Sequence, residues 1–347
     1  MLTEKQVKEI REHLERAQNP IFFFDNDQDG LCSFLLLQRY IGRGKGVPIR
    51  SFPELAVSYF RRVRELGADY IFILDKPVVS DDFLKEVEQV NLPVVWIDHH
   101  NAQTRIPGFV NYYNPLLNDE MTNEPVTALC YQVANKRSDL WIAVIGCISE
   151  NYLPEFYSDF KKEYPDLIIK SENPLDIYYC SQIGKIIQIF GAGLKDKTTN
   201  VIDMLKFLMK AKSPYDVLEE SSKNYSMHKR FKEIDSKYRK LLEKAKRFSK
   251  GEILFFKYGG DLSISSDLSN GLRQKFPDKV IVVGYDSGVK VNISIRGKKI
   301  RGAALKVIDE LEVTGGGHED AVGLSIKTED WDKFKEKFEK KLKNRKI

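Results

Sequence analysis

In the first half of the chain, segments with the hydrophobic spacing of a helix alternate with short apolar runs typical of buried strands. Residues 3–14 open with a capping-box pattern and continue with apolar residues at helical spacing, which predicts an amphipathic helix. Short runs of bulky apolar residues between turn formers, typical of strands buried on both faces, occur at 21–24, 70–74 and 94–97. Helical periodicity separates these runs at 31–41 and 80–90. This alternation predicts an α/β fold with right-handed crossovers and a mostly parallel sheet.

The hydrophobic pattern becomes helical through the middle of the chain. Helices are expected from Pro125 to about Ala211. A heptad then follows at Met227, Phe231, Ile234, Tyr238, Leu241, Ala245 and Phe248. We interpret it as a long connecting helix that packs against a domain. A dimeric coiled coil, and with it a homo-oligomer, is the alternative, although the seam is short for one.

A second α/β pattern begins at Gly251. Strands are expected at 252–257, 279–285, 289–295 and 321–326, with helices at 268–276 and 301–311. A closing helix places aromatic residues on one face and lysines on the other. We therefore predict a larger α/β domain over 1–215, a helical connector over 216–250 and a smaller α/β domain over 251–347.

Composition and charge narrow the class of protein. The 347 residues are 42% hydrophobic, which suits a globular protein, and no run reaches the roughly 18 apolar residues of a membrane helix. The first residues lack a signal-peptide pattern, so we expect a cytoplasmic protein with no membrane partner. The net charge of +5 is modest, but the basic segments 223–250 and 333–346 could hold a polyanion. Solvated helix faces are the alternative reading of those segments.

The cysteines of the chain are widely spaced. Because no two of them form a CxxC pair, we expect buried thiols in a reducing compartment rather than disulfides or a zinc site. The residues concerned are Cys32, Cys130, Cys147 and Cys180.

Aspartate follows each of the expected buried strands, at Asp25, Asp75 and Asp98. In parallel sheets, ligands bind beyond the carboxyl ends of the strands. The first aspartate opens the sequence Asp-Asn-Asp-Gln-Asp-Gly at 25–30, whose three carboxylates repel one another unless a cation is present. An EF-hand calcium loop is excluded, because Leu36 stands where that loop needs Glu and a strand leads into it. A capped turn is the structural alternative.

Two further motifs contain histidine. His99 and His100 follow Asp98, where the chain leaves a strand and both imidazoles can reach one cavity. Imidazole beside carboxylates is a ligand set for Mn, Zn or Fe, whereas a lone histidine is more often a packed residue. Near the end of the chain, three glycines at 315–317 precede His318. We predict a phosphate-binding turn there, with a flexible loop as the alternative.

These motifs, in this order and spacing, resemble those of the RecJ-like DHH-family phosphoesterases with a DHH-associated C-terminal domain. The resemblance covers essentially the whole chain. The size of the chain and the form of its first motif are most similar to the compact archaeal RecJ-like nucleases, including one associated with a repair helicase. The resemblance implies that residues 1–215 form a DHH catalytic domain and residues 251–347 a DHH-associated substrate-binding domain, with the active site in the cleft between them. It also implies a hydrolytic activity on phosphodiester bonds.

The resemblance also implies a site for two divalent ions, Mn²⁺ or Mg²⁺. Asp25 and Asp27 would face the first ion, and Asp29 and His99 the second. Asp75 would bridge both ions. Phe23 stands where other branches of the family have a histidine ligand, and Asp25 is expected to substitute for it.

The remaining implied roles surround the metal ions. His100 would lie beside the scissile phosphate, and Asp98 would orient its neighbours. Glu150 stands where the family has a metal-binding aspartate, so the second ion is expected to sit differently or to bind more weakly. The alternative for Glu150 is a surface acid at a helix end.

Contacts to the substrate phosphate are implied in the second domain. The corresponding residues are Ser294, Arg296, Gly315, Gly316, Gly317 and His318. Arg296 suits bidentate phosphate binding, although a surface charge on a strand is the alternative reading. His318 would approach the phosphate from the side opposite His100.

The expected function is metal-dependent cleavage of single-stranded DNA or RNA from an end, in repair or replication, with a helicase as a possible protein partner. One alternative is a phosphodiesterase for very short RNAs or small nucleotides, which would use the same metal ions. Another is a catalytically weak scaffold on a helicase. The retained ligands Asp25, Asp27, Asp29, Asp75 and His99 argue against the scaffold.

Overall fold

The computed structural model describes residues 1–51, 53–101 and 105–343, and at residue 318 the backbone alone. The chain divides into two compact units, Met1–Phe231 and Lys232–Ile347. In the first unit the helices are α1 (Glu4–Arg16), α2 (Gln28–Ile41), α3 (Phe60–Glu65), α4 (Asp81–Gln89), α5 (Val126–Ala134), α6 (Leu140–Ser149), α7 (Tyr157–Glu163), α8 (Pro174–Cys180), α9 (Gln182–Leu194), α10 (Thr198–Leu208) and α11 (Pro214–Leu218). Its strands are β1 (Pro20–Asp25), β2 (Lys45–Ile49), β3 (Glu54–Leu55), β4 (Tyr70–Leu74), β5 (Val78–Val79), β6 (Val94–Ile97) and β7 (Val110–Tyr113).

The main sheet of the first unit is parallel throughout, with the order β2-β1-β4-β6-β7. The parallel α/β fold predicted from the sequence is therefore confirmed. Phe24 is in register with Leu74, and Leu74 with Ile97, so the strands end at one edge. This register brings the residues that follow the strands to the same edge of the sheet.

Side chains of the central strands are buried on both faces of this sheet. Phe22, Phe24 and Phe72 belong to a core that includes α1, α2, α5, α6 and α9. Phe23 and Ile73 point the other way, into a smaller core with α3 and α4. Because successive side chains of a strand alternate between faces, continuous apolar runs are what a sheet covered on both sides requires.

The second unit is built on a mixed sheet. Its strands are β8 (Ile253–Gly259), β9 (Val280–Asp286), β10 (Lys290–Arg296), β11 (Gly315–His318) and β12 (Ala321–Lys327), in the order β11-β12-β10-β9-β8. β8 and β9 are parallel, and the other pairs are antiparallel. Helix α13 (Ser265–Lys275) packs on one face of the sheet, and α14 (Arg301–Leu311) and α15 (Trp331–Lys343) pack on the other.

The heptad forms helix α12 (Tyr225–Lys246), which contributes to both units. Met227 and Phe231 pack into the large core of the first unit, and Ile234, Tyr238 and Leu241 pack against a core of the second. The heptad thus lies on one long helix that packs against apolar cores, and the connector bounds 216–250 stay a prediction. Phe248 was wrongly placed on its seam. It lies beyond the end of the helix and is 56% exposed.

The cysteines are free thiols in the described parts of the chain. Cys32, Cys130 and Cys147 are buried as expected, and burial raises the pKa of the Cys32 thiol well above its usual value. Cys180 was wrongly expected to be buried, because the last residue of α8 is exposed. Nowhere in the described ranges does a helix have both the length and the apolar character needed to cross a bilayer.

Candidate metal centre

The carboxyl edge of the parallel sheet carries the predicted aspartates. Asp25 is the last residue of β1, and Asp75 and Asp98 come directly after β4 and β6. The backbone N–H of Asp75 donates to the carbonyl of Ile97 at 3.0 Å, which continues the ladder to the sheet edge. Asp75 has a φ of +58°, a conformation that costs free energy in a residue other than glycine. Such strain persists where surrounding contacts fix it, and it is common at functional sites.

The loop after β1 passes directly into helix α2. The side chain of Asp27 caps this helix, with Oδ1 accepting the N–H of Gly30 at 2.9 Å. A Cβ atom at Gly30 would come within 2.4 Å of the carbonyl oxygen of Asp25. The glycine of the motif therefore allows the first turn of α2 to return against the strand, which keeps the carboxylates of the loop close together.

Asp29 is fully buried and has a structural role that the sequence did not reveal. Its two carboxylate oxygens accept the backbone N–H groups of Val126 at 2.9 Å and Thr127 at 2.7 Å. These donors belong to the first turn of α5, where N–H groups lack helical partners and the helix dipole favours negative charge. Asp29 thus fixes α5 to the edge of the sheet as well as adding charge to the site.

Asp75, His99 and His100 form a compact group of ligand atoms, all within 4.8 Å of one another. Nε2 of His99 lies 3.5 Å from Oδ1 of Asp75, and Nδ1 of His100 lies 3.9 Å from the same oxygen. The two imidazole rings are 4.5 Å apart and inclined by 72°. The structure therefore brings together the expected bridging aspartate and both histidines of the motif.

His100 is held by a hydrogen-bond network around Asp98. Its Nδ1 lies 2.8 Å from Oδ1 of Asp98, and its backbone N–H donates to Oδ2 at 3.2 Å. Asp98 is fully buried and also accepts the hydroxyl of Tyr112 at 3.4 Å. Asn114 donates to the carbonyl of His100 at 3.0 Å. Asp98 therefore holds both the ring and the backbone of His100.

Burial raises the pKa of three carboxyl groups of the site, and for two of them neighbouring carboxylates raise it further. Burial, followed by the charges of Asp25 and Asp29, raises the pKa of Asp27 to about 7. Burial also raises the pKa of Asp29 to about 6, although hydrogen bonds from Thr127 oppose the shift. For Asp75, burial and then the charges of Asp29 and Asp27 raise the pKa well above its usual value. When these carboxyl groups are ionised they repel each other, so a cation that binds among them is favoured.

Glu150 belongs to the same group of charges. It follows the end of α6 and is exposed, but the protein atoms packed around its carboxyl raise its pKa, and the charges of Asp27, Asp29 and Asp25 raise it further.

For His100, burial alone would lower the pKa, but the hydrogen bond and charge of Asp98 outweigh it, and the pKa is raised.

The residues of this edge fit a divalent metal ion. Oδ1 of Asp75 is buried, and none of the described residues donates a hydrogen bond to it. A buried carboxylate oxygen without a donor is costly, whereas a metal ion beside it would satisfy it. Carboxylates with imidazole form a donor set suited to Mn²⁺, and carboxylates alone suit Mg²⁺.

Cationic side chains also lie at this edge, and the sequence reasoning missed them. Lys76, directly after Asp75, is buried and donates from Nζ to Oδ1 of Asp25 at 2.8 Å. Arg50 and Lys195 line an open cavity of about 390 Å³ beside Asp25. A lysine directly after an apolar strand is unusual, and this could have drawn attention to Lys76 in the sequence. The side chains that each of the three cations contacts could not be predicted, because they depend on the fold.

In the second unit, two predicted phosphate contacts lie against α13. The hydroxyl of Ser294 is 3.1 Å from that of Ser265, at the start of this helix. Arg296 donates from Nε to Asn270 at 2.6 Å and from Nη2 to Ser266 at 2.9 Å. The guanidinium of Arg296 is therefore held in place by this helix.

The glycine run lies in the same sheet as these residues. Ser294 is opposite Gly323, and Gly323 is opposite Gly316, so the three residues form one row across β10, β12 and β11. Directly opposite residues of antiparallel strands share a face of the sheet. Gly323, in the middle of this row, and Gly316, at its edge, have no side chain and are exposed.

The expectation of a glycine turn was wrong, because the glycines form edge strand β11. Gly317 has a φ of +149°, and a Cβ atom there would lie 2.2 Å from the carbonyl oxygen of Ala321. Glycine is thus required where the hairpin closes, after which the chain turns at Glu319 and Asp320. His318 is the last residue of β11, and its side chain lies outside what the structure describes.

Comparison with known proteins shows which fold the chain shares. Residues 250–344 match the DHHA1 domain family. RecJ from Thermus thermophilus, solved with Mn²⁺, aligns with a TM-score of 0.70 and 13% identity over 99% of this chain and 54% of RecJ. The chain thus spans about half the length of that RecJ. Exonuclease RecJ bound to manganese aligns with a TM-score of 0.63 and 13% identity over 97% of this chain and 94% of its own.

A pGpG-specific phosphodiesterase from Vibrio cholerae aligns with a TM-score of 0.51 and 12% identity, over 92% of this chain and 97% of its own. No protein among curated sequences matches the chain. The expected fold is confirmed: the chain has the RecJ-like DHH fold, and its residues 250–344 match the DHHA1 domain.

Proposed function

We propose that this chain is a divalent-metal-dependent phosphodiesterase that removes nucleotides from an end of single-stranded DNA or RNA. The observation that carries the proposal is the group formed by Asp75, His99 and His100 within a cluster of carboxylates. Strand-end carboxylates with imidazole, at the edge where parallel sheets bind ligands, make a hydrolytic metal site. The RecJ-like fold agrees with this chemistry.

We assign the metal ligands as the resemblance implies them: Asp25, Asp27, Asp29, Asp75, His99 and Glu150. Two bound ions would lower the pKa of an attacking water and withdraw charge from the phosphorus centre. Asp75 lies between the loop of the first motif and His99, which suits a ligand shared by both ions. Both carboxylate oxygens of Asp29 already accept backbone N–H groups at the start of α5, so Asp29 would bind an ion through the lone pairs that these bonds leave.

His100 is assigned to the substrate phosphate. Its Nδ1 is bound to Asp98, so Nε2 is the nitrogen left to donate to a phosphoryl oxygen. Its raised pKa favours the protonated imidazole, which can stabilise negative charge that develops during hydrolysis. In the second unit, Ser294, Arg296 and the exposed backbone of β11 are assigned to binding the nucleic acid backbone.

The test is incubation of the purified full chain with end-labelled single-stranded DNA and RNA, with Mn²⁺, Mg²⁺ or EDTA. We expect stepwise shortening of the strand with either ion and none with EDTA. Asp75→Ala should remove the activity, because the ligand shared by both ions is lost. Activity in EDTA, or an Asp75→Ala variant as active as the wild type, would contradict the proposal.

A second candidate, hydrolysis of very short or small nucleotides, is favoured by the fold similarity to the pGpG-specific phosphodiesterase. Substrate length separates the two functions. Cleavage confined to RNAs of a few nucleotides or to linear dinucleotides such as pGpG would support this candidate. A chain that binds single strands and Mn²⁺ but cleaves nothing would instead support a scaffold.

A further inference from the structure

A fully buried lysine lies at the edge of the proposed metal centre. The side chain of Lys76 is 1% exposed, and its Nζ donates to Oδ1 of Asp25 at 2.8 Å and to the carbonyl of Ser51 at 2.7 Å. Lysine is rarely buried without a partner, because a desolvated ammonium is costly. Asp25 supplies the compensating charge.

The backbone fixes where this ammonium lies. Asp75, the preceding residue, has the left-handed φ of +58°, so the chain turns sharply between the two side chains. The carbonyl of Lys76 accepts the indole N–H of Trp96 at 2.8 Å. Because of this turn, the side chain of Asp75 contacts the histidines and the side chain of Lys76 reaches Asp25. The backbone conformation at Asp75 therefore positions both side chains.

The position of Lys76 matters because Asp25 is also an assigned metal ligand. One oxygen of Asp25 is already hydrogen-bonded to the ammonium, whereas the buried oxygen of Asp75 has no donor among the described residues. A positive charge beside a ligand partly neutralises the cluster when no metal ion is bound. The same charge repels a divalent ion that approaches that ligand.

We propose that Lys76 is a built-in counter-cation that competes with a divalent ion for Asp25 and thereby sets the metal affinity of the centre. The inference rests on the proposed function only in requiring that the centre binds a divalent ion. Lys76 acts through Asp25 and is a positioning residue. It stabilises the metal-free chain and weakens the binding of the ion nearest Asp25.

The test is calorimetric titration of Mn²⁺ into the metal-free full chain. In Lys76→Met, one negative charge loses its partner, so we expect Mn²⁺ to bind about tenfold more tightly. In EDTA the same variant should melt at a lower temperature than the wild type, and Mn²⁺ should raise its melting temperature by more. Lys237→Met is the matched control, because it breaks an ion pair with Asp261 in the second unit, and its Mn²⁺ affinity should equal the wild-type value.

Variants of Asp25 cover the case in which Lys76→Met does not fold. Asp25→Asn leaves the ammonium beside the centre and should bind Mn²⁺ most weakly of the set. The double variant Asp25→Asn with Lys76→Met has lost both charges and should bind more tightly than Asp25→Asn alone. Equal or weaker binding on removal of Lys76, in either background, overturns the inference. A wild-type chain that binds no Mn²⁺ overturns the proposed function itself, which is a separate outcome.

Discussion

Nδ1 of His100 lies 2.8 Å from Oδ1 of Asp98, and the backbone N–H of His100 donates to the other oxygen of the same carboxylate. Two contacts from one buried group fix both the ring and the turn that carries it. They also keep the pKa of His100 raised against the effect of burial. The buried aspartate thus sets the charge and direction of the imidazole assigned to the substrate.

Asp98→Asn should therefore impair turnover more than binding. The amide keeps the shape of the side chain but removes the charge, so we expect kcat to fall about 10- to 100-fold. The pKa of His100 should fall as well, so activity should be lost at a lower pH on the alkaline side. The measurement is kcat against pH for both proteins.

Tyr112→Phe is the control for this substitution, because it removes a 3.4 Å contact to the same carboxylate and a 2.9 Å hydrogen bond from Asn114, while Asp98 keeps its charge and both of its contacts to His100. Its kcat and pH profile should stay near those of the wild type. If Asp98→Asn has the profile of the wild type, His100 does not act through Asp98.

The stability of the metal-free protein should fall as pH rises from mildly acidic to alkaline. The pKa of Asp27 is about 7 and that of Asp29 about 6 in the folded chain, both above the ordinary value of 3.8. The folded state therefore holds protons that the unfolded state has released, so the free energy of unfolding decreases as pH rises from about 4 to about 7. Thermal unfolding in EDTA at about pH 5.5 and about pH 8 measures this dependence.

Mn²⁺ should reverse the trend, because ligands bind metal in their deprotonated form. The gain in melting temperature on adding Mn²⁺ should be larger at the higher pH. Asp27→Asn provides the control and should show a smaller loss of stability with pH in EDTA. A metal-free wild type that is more stable at the higher pH would contradict the charge cluster described above.

Glu150→Asp should leave activity equal to that of the wild type or raise it. The shorter carboxylate restores the residue that the resemblance places at this metal position. Glu150→Gln is the matched control: it keeps the length but cannot carry charge, and we expect it to weaken Mn²⁺ binding and to slow cleavage. Complete loss of cleavage in Glu150→Asp would mean that the longer side chain is required.

Gly323→Val tests the exposed row of the second sheet. A Cβ atom at Gly323 has only the carbonyl oxygen of Ile293 at 4.0 Å, so the strand accepts a side chain without a clash. The side chain would lie on the face shared by Ser294 and Gly316. We expect KM for single-stranded substrate to rise about tenfold or more, with melting temperature and Mn²⁺ affinity unchanged.

Ser325→Val is the control for that substitution, two residues further along the same strand and on the same face. Its KM should change less, because Ser325 lies opposite Asn292 and away from Arg296. Equal effects of the two substitutions would show that the row through Gly323 has no special part in binding.

The central strands β1, β4 and β6 could be predicted because they are continuous apolar runs buried on both faces. The edge strands β2 and β7 are only partly buried and are not such runs, so they were not predicted. The strand-end positions of Asp25, Asp75 and Asp98 followed from those runs. The conformation of the glycine run could not be predicted in the same way. Pairing of β11 with β12 decides it, and that contact is not visible in a glycine sequence.

The hydrogen-bond and ion-pair partners of individual charged residues also could not be predicted from the sequence. Asp29 was assigned to a metal ion, and its hydrogen bonds to the start of α5 join residues 97 and 98 positions apart. Lys76 was overlooked because its partner Asp25 is 51 positions away. In each case the residue type indicated a charged group, but only the fold shows which groups it contacts.

The most direct test of the account is anomalous diffraction from crystals of the full chain soaked in Mn²⁺. We predict manganese peaks at the carboxyl edge of the parallel sheet, one of them coordinated by Oδ1 of Asp75 and by His99. The loop of Asp27 should contribute a ligand to the same group. An ordered edge with no manganese beside Asp75 at saturating Mn²⁺ would contradict the central claim.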